Sequence, residues 1–371
     1  MKTDPTPRET KEPRYRTISE AIRRDIETRS FSPGERLPPD AQLAVRFDTS
    51  RLTVIRALRD LEAEGLVQRR AGSGTFVRSL TGAATRVFGL LMPDLDEGEV
   101  FDPICQGIVR AGELLHHRLL WGSAPTSTNN KEQQAEELCH YFISRKVSGV
   151  FFAPVELTAR QDEVNEKIAA DLERASIPTV LIDRCVSKFP RRSRHDLVGI
   201  DNRRAGYRMT AHLLKAGCRK VAFAFRPGSA PTVDARHAGY REALWTQGLP
   251  SDNTFVFQSD GSDSEALKKF VDSAKPDGIV CANDLTAAKV MHTLLKLGVR
   301  IPEDMRMVGI NDVKYAQFLP VPLTTLRQPC QEIGAAAMAV MLDRLHRPSA
   351  PTRDVLLDCE VIVRQSCGAK V

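Results

Sequence analysis

Residues 50–78 read SRLTVIRALRDLEAEGLVQRRAGSGTFVR, and the order of features in that stretch decides how the first part of the chain folds. Val54, Ala57, Leu58 and Leu61 recur at helical spacing, which predicts a helix from Arg51 to 64 with one apolar face and Ser50 as its cap. Gly65 is placed to end that helix, because glycine takes up a left-handed backbone without a Cβ penalty. Two short β segments follow, 66–70 and 75–78, joined by Ala71-Gly72-Ser73-Gly74. Upstream, Ile18, Ala21, Ile22 and Ile26 mark a first helix that ends before Ser32-Pro33-Gly34. Leu43, Ala44 and Phe47 mark a short second one, opened by Pro38, Pro39 and Asp40. The pattern is a small helix-turn-helix domain with a β wing, expected over 15–78, after a polar tail (1–14) and before a short linker (79–85).

The third helix begins with Ser50, Arg51, Leu52 and Thr53, and Arg56 lies one turn on. Short hydrogen-bonding side chains and arginine at a helix start suit base edges in the major groove of double-stranded DNA. The wing tip, at Gly72 and Ser73 beside Arg69 and Arg70, suits phosphate or the minor groove. Each of these pieces, taken singly, is equally compatible with a solvated helix face and an ordinary hairpin turn. Their order and spacing argue for DNA.

At 371 residues, with 42% hydrophobic and 27% charged residues, the chain is long enough for two or three globular domains. The net charge is +6, and residues 1–78 hold 16 Lys and Arg against 12 Asp and Glu, so most of the surplus sits on the first 78 residues. No apolar run approaches a membrane span or a signal peptide, so the chain is expected in the cytoplasm. The eight cysteines are scattered without C-x-x-C pairs, and His116 and His117 lack the i, i+4 spacing a metal favours. Neither cofactor nor metal is expected.

From 86 to 366 the pattern changes to strands alternating with helices, from Val87–Met92 through Met307–Ile310. Repeated βα units imply α/β architecture with parallel, doubly wound sheets, and two such sets separated near 184–197 imply two lobes. In such sheets ligands bind beyond the carboxyl ends of strands. Asp183-Arg184, Asn283-Asp284 and Asn311-Asp312 stand at those ends, and Phe101-Asp102 follows the first strand. With Arg236 they offer donors, acceptors and an aromatic face, a set suited to a polyhydroxylated molecule such as a sugar. Asn and Asp at strand ends also cap helices, a role that Asp284 fits, whereas Asp312 has no helix directly after it.

The run from Tyr15 to Val77 resembles the GntR family's DNA-binding domain. The resemblance is carried by Pro33-Gly34-Glu35-Arg36-Leu37-Pro38, Ser50-Arg51-Leu52-Thr53-Val54 and Gly72-Ser73-Gly74-Thr75-Phe76-Val77. It implies DNA contacts at Ser50, Arg51, Thr53 and the wing at Gly72, and Arg36 is a further candidate. The larger part resembles the LacI-type sensor, which is related to periplasmic sugar-binding proteins. Six ordered blocks carry that resemblance, among them Val198-Gly199-Ile200-Asp201-Asn202, Arg236-x-x-Gly239-Tyr240 and Val308-Gly309-Ile310-Asn311-Asp312. It implies chain crossings between lobes near 198, 327 and 350, pairing of sensors into a homodimer, and ligand contacts at Asp183, Arg236, Asn283 and Asn311, with Phe101 in a variable first loop.

The expected function is therefore a DNA-binding transcriptional regulator, a repressor released from its operator by a small-molecule effector of the sugar class. An activator or a nucleobase-responsive regulator is the alternative. An enzyme fits less well, because no phosphate-cradling or nucleophile-elbow motif occurs. A solute-binding protein leaves the first 78 residues without a role.

Overall fold

The computed structural model describes residues 14–27, 30–31, 34–63, 65–70, 73–77, 85–93, 100–121 and 130–369. The expected tail, apart from Arg14, the expected linker, apart from Thr85, and Gly72 lie outside the described residues. The chain divides into two compact units, one of residues 1–86 with 112–117, the other of 87–111 with 118–371.

In the first unit, α1 (Arg14–Glu27), α2 (Asp40–Arg46) and α3 (Arg51–Ala63) precede the antiparallel hairpin β1 (Val67–Arg70) and β2 (Gly74–Val77). The predicted apolar stripes meet: Ile18, Ile22, Leu43, Val54, Ala57, Leu58, Leu61 and Val77 form one buried cluster. Gly65 takes a φ of 78°, the left-handed conformation its position requires. A bridge from Arg36 to Phe76 adds a third short segment beside the wing.

The second unit holds two six-stranded sheets. β3 (Val87–Leu91), α4 (Phe101–Leu114), β4 (Arg118–Trp121), α5 (Lys131–Ser144), β5 (Gly149–Phe152), α6 (Gln161–Arg174), β6 (Thr179–Ile182) and β7 (Asp196–Ile200) build the N-terminal lobe. α7 (Asn202–Lys215), β8 (Val221–Phe225), α8 (Pro231–Thr246), β9 (Val256–Gln258), α9 (Ser264–Ala274), β10 (Gly278–Cys281), α10 (Asp284–Lys296), β11 (Arg306–Asn311) and β12 (Thr324–Arg327) build the C-terminal one. The chain then returns: α11 (Cys330–His346) packs on β6 and β7, and β13 (Asp354–Leu357) pairs in parallel with β7. Finally β14 (Glu360–Ile362) pairs antiparallel with β12 in the second sheet.

The crossings between lobes thus fall at Asp201, at Gln328-Pro329 and at Asp358-Cys359. The third comes later than the expected 350, because β13 first completes the N-terminal sheet. The lobe boundary is likewise Asp201 and not 184–197, since that loop leads into β7 of the same sheet. Ion pairs brace the crossings from the C-terminal side: Arg204 and Arg208 of α7 both hold Asp358 at 3.2 Å, and Asp312 takes Arg327 at 2.7 Å and Arg364 at 2.6 Å.

Close helix contacts explain the glycines of the sequence blocks. A Cβ at Gly206 would overlap the carbonyl oxygen of Arg236, and one at Gly239 the carbonyl oxygen of Arg203, so α7 and α8 meet backbone to backbone. Gly107 of α4 and Gly334 of α11 do the same in the other lobe, against Gln331 and Ile104. Gly239→Ala should force these helices apart and destabilise the sensor by about 1–3 kcal/mol. Denaturant unfolding of the full chain measures it, and an unchanged midpoint would refute the packing argument.

Asp284 is fully buried and ties three elements together. Its carboxylate accepts from the Thr325 hydroxyl at 2.7 Å and from the Val313 N–H at 3.1 Å. Burial pushes its carboxyl up to about 6, against the downward pull of those hydrogen bonds. An acid raised in the folded state adds stability below the unfolded value near 4 and loses it as pH rises through the folded one. The sensor should therefore lose stability between pH 4 and 6.5 through this group, by on the order of 3 kcal/mol at most. Asp284→Asn should flatten that part of the stability profile, and parallel wild-type and mutant profiles would contradict it.

Candidate functional site

The recognition turn is built first by its cap. Ser50 accepts the Thr53 N–H on its hydroxyl at 3.2 Å, and the two hydroxyls of Ser50 and Thr53 share a hydrogen bond of 2.8 Å. Both polar side chains are thereby engaged in starting α3. Arg51 and Leu52 project from the same turn, both exposed. Arg51 lines a shallow cleft with Arg36, Ile55 and Gly74, so the start of α3 and the base of the wing come together, with two guanidinium groups at one cleft. Ser73 is exposed on the wing.

Three arginines of this unit have tasks the sequence reading did not foresee. Arg56 lays its guanidinium on the Tyr15 ring, 4.1 Å from the centroid, because α1 packs across α3 there. Arg69 pairs with Asp40 at 2.8 Å, tying the wing to the start of α2. Arg70 covers the Phe76 ring at 4.8 Å.

In the sensor, the ends of the strands converge where the lobes touch. Asp183, with a φ of 66°, follows β6, and Arg184 after it is buried against Phe101, its guanidinium 5.0 Å from the ring centroid. Arg184 reaches Glu156 at 2.6 Å, and the other Glu156 oxygen accepts the Ala230 N–H at 2.9 Å at the start of α8. Leu157 N–H donates to the Gly228 carbonyl at 3.0 Å. These two hydrogen bonds join one lobe to the other. From the C-terminal lobe, Arg236 is 4% exposed and donates through Nε to Asn202 Oδ1 at 2.8 Å and through Nη1 to the Ala282 carbonyl at 2.6 Å. Asn311, at a φ of 135°, accepts from Gln328 Nε2 at 2.7 Å.

Two buried oxygens in this region, Asp183 Oδ1 and Gln328 Oε1, find no hydrogen-bond partner among the described residues. Burial pushes the Asp183 carboxyl up, opposed by the charges of Arg184 and Arg236. It also pulls the Arg236 guanidinium down, opposed first by Asp183. A buried acceptor without a donor is costly, and a bound molecule with hydroxyl or amide hydrogens would satisfy both.

Several candidate residues stand differently from the reading of the sequence. Phe101 and Asp102 open α4 and do not lie in a loop; Phe101 is buried and Asp102 exposed. The cap of α10 is Asn283, whose side-chain oxygen accepts the Thr286 N–H at 2.8 Å, so the capping role falls to it and not to Asp284. Both oxygens of Asp312 are taken by Arg327 and Arg364, which places this acid in the bracing of the crossings. The sequence reading missed Glu156, Asn202 and Gln328. Asn202 stood inside a quoted block and Gln328 next to the expected crossing near 327, and only their contacts set them apart; Glu156 carried no sequence signal.

Residues 14–77 match the family described as bacterial regulatory proteins, gntR family, and residues 210–367 match the periplasmic binding protein-like domain. The chain is 27% identical over 366 residues to the arabinose metabolism transcriptional repressor of Geobacillus stearothermophilus, covering 95% of this chain and 97% of that one. It is 24% identical over 341 residues to the HTH-type transcriptional repressor CytR of Escherichia coli (strain K12), with 88% and 95% covered. Among solved structures it is similar to the transcriptional regulator CelR in complex with cellobiose, with a TM-score of 0.65, 23% identity, and 85% and 90% covered. The chain thus joins a gntR-type DNA-binding reader to a two-lobed, LacI-type, periplasmic binding protein-like sensor, the make-up of a DNA-binding transcriptional regulator.

Proposed function

We propose that this regulator is a repressor that sits on its operator as a homodimer and is released when a sugar binds between the lobes of its sensor. The observation that carries the reading is the pair of unmet buried oxygens on Asp183, which neighbours the Arg184 that holds Glu156, and on Gln328, whose amide nitrogen holds Asn311. A polyhydroxylated ligand supplies donors to both, and Arg184, Arg236 and Asn283 supply further polar groups around them. Such contacts change as lobes move, which is the condition for a ligand to shift a conformational equilibrium. The names of the relatives support repression, and the cellobiose in the CelR complex supports a sugar. Two readers on one dimer suit an operator with two half-sites.

A thermal-shift panel of arabinose, ribose, glucose, cellobiose and the nucleobases tests the class of effector. A ligand at ~100 times its Kd adds about 2.7 kcal/mol of stability. The sugar that stabilises the protein should also abolish its retardation of a DNA fragment from upstream of its own gene. Retardation that requires the sugar would overturn the proposal, and a response to nucleobases alone would reassign the effector. Arg51→Ala should weaken the DNA complex by about 1–3 kcal/mol, roughly 5- to 150-fold, while the sugar-dependent thermal shift persists. Wild-type affinity in this variant would remove α3 from the interface.

A further inference from the structure

We propose that Leu52 reads the 5-methyl group of a thymine, so that each half-site of the operator contains a thymine recognised by apolar contact. The inference rests on the reading of α3 as the helix that enters the major groove, and it names what the first turn of that helix requires of the DNA.

The hydroxyls of Ser50 and Thr53 turn toward each other, and that of Ser50 also caps the helix. Val54, Ala57 and Leu58 are fully buried in the domain's core. Arg56 is laid on Tyr15. What the turn offers outward is Arg51 and Leu52, and the Leu52 side chain is 77% exposed.

Other large apolar side chains are exposed too, Val45 of α2 among them, but Leu52 is the one that stands beside Arg51 in the first turn of α3. It gains nothing from the core and exposes apolar surface to water. Pressed into the major groove it meets base edges that are polar donors and acceptors at every position but one. Desolvating those groups without hydrogen bonds is costly. The exception is thymine, whose C5-methyl is the largest apolar group the major groove presents. Cytosine has only a C5–H in its place, and adenine and guanine offer Leu52 polar edges it cannot satisfy. A leucine at this place therefore acts both ways, attracting thymine and penalising the other bases.

Uracil for thymine removes that methyl and leaves every hydrogen-bonding group of the base in place, which makes the test direct. The full-length protein is first used to enrich its preferred sequence from random duplexes, and each thymine of that sequence is then replaced in turn by uracil. The wild type should lose affinity about fourfold at one thymine per half-site, the factor expected for one buried methyl group. Leu52→Ala should bind the thymine and uracil duplexes equally, while its thermal melt stays at the wild-type value. Indifference of the wild type to uracil at every thymine would overturn the proposal, as would full thymine preference in Leu52→Ala, and either would leave the assignment of α3 standing. Failure to enrich any sequence would overturn both.

Discussion

The geometry of the sensor depends on two helix pairs that touch through their backbones. Where Gly206 meets Arg236 and Gly239 meets Arg203, the interaxial distance is set by the absence of side chains, and no other residue fits. Arg236 lies at that crossing. Its backbone is fixed by Gly206, and its guanidinium is then held by Asn202 at the start of the neighbouring helix and by the carbonyl of Ala282 at the end of β10. The buried cation thus ties two helices and a strand end at the point where the lobes touch. In the other lobe, Gly107 and Gly334 bring α11 against α4, and α4 begins with Phe101, the ring on which Arg184 lies.

Much of this architecture is legible in the residues. The alternation of apolar strands and amphipathic helices runs cleanly from Val87 to Ile310, because parallel strands buried on both faces read as apolar runs. In the reader, the stripes through Ile18 and Ile22 and through Val54 and Leu58 lie on the faces that are buried. What escaped lies in the last part of the chain. β13 alternates between exposed and half-buried positions at a sheet edge, and β14 is three residues long, so neither carries a strong signal. α11 is rich in alanine and buries Ile333, Ala337, Met338, Val340 and Met341, which blurs the contrast between its faces.

The site was legible as residue types and less so as roles. A carboxylate or amide at the end of a strand marks a place where chemistry can happen, but its partners decide what it does. Asn283 and Asp284 are neighbours in sequence and differ completely: one caps a helix, the other is buried beneath Gly309 as a bond between three elements. Asn311 and Asp312 differ in the same way, one paired with Gln328, the other clamped by two arginines. Such partners come from segments distant in the chain, and no local pattern encodes them. The first turn of α3 is the converse case, since its cap, its buried face and its outward residues follow from helical periodicity alone.

The return of the chain to its first sheet also bears on how the protein is made. β7 ends at Ile200, and the strand that covers its edge is not reached until Asp354. At 5–20 residues per second, a ribosome takes roughly 10–30 s to deliver it. Through that interval the nascent N-terminal lobe carries an open parallel edge along Leu197-Val198-Gly199-Ile200, a template for wrong pairing with other chains. β14, the last strand of the second sheet, follows β13 after only two intervening residues, Asp358 and Cys359. Synthesis therefore completes both lobes almost together, with neither sheet whole until the last residues of the sensor have been made.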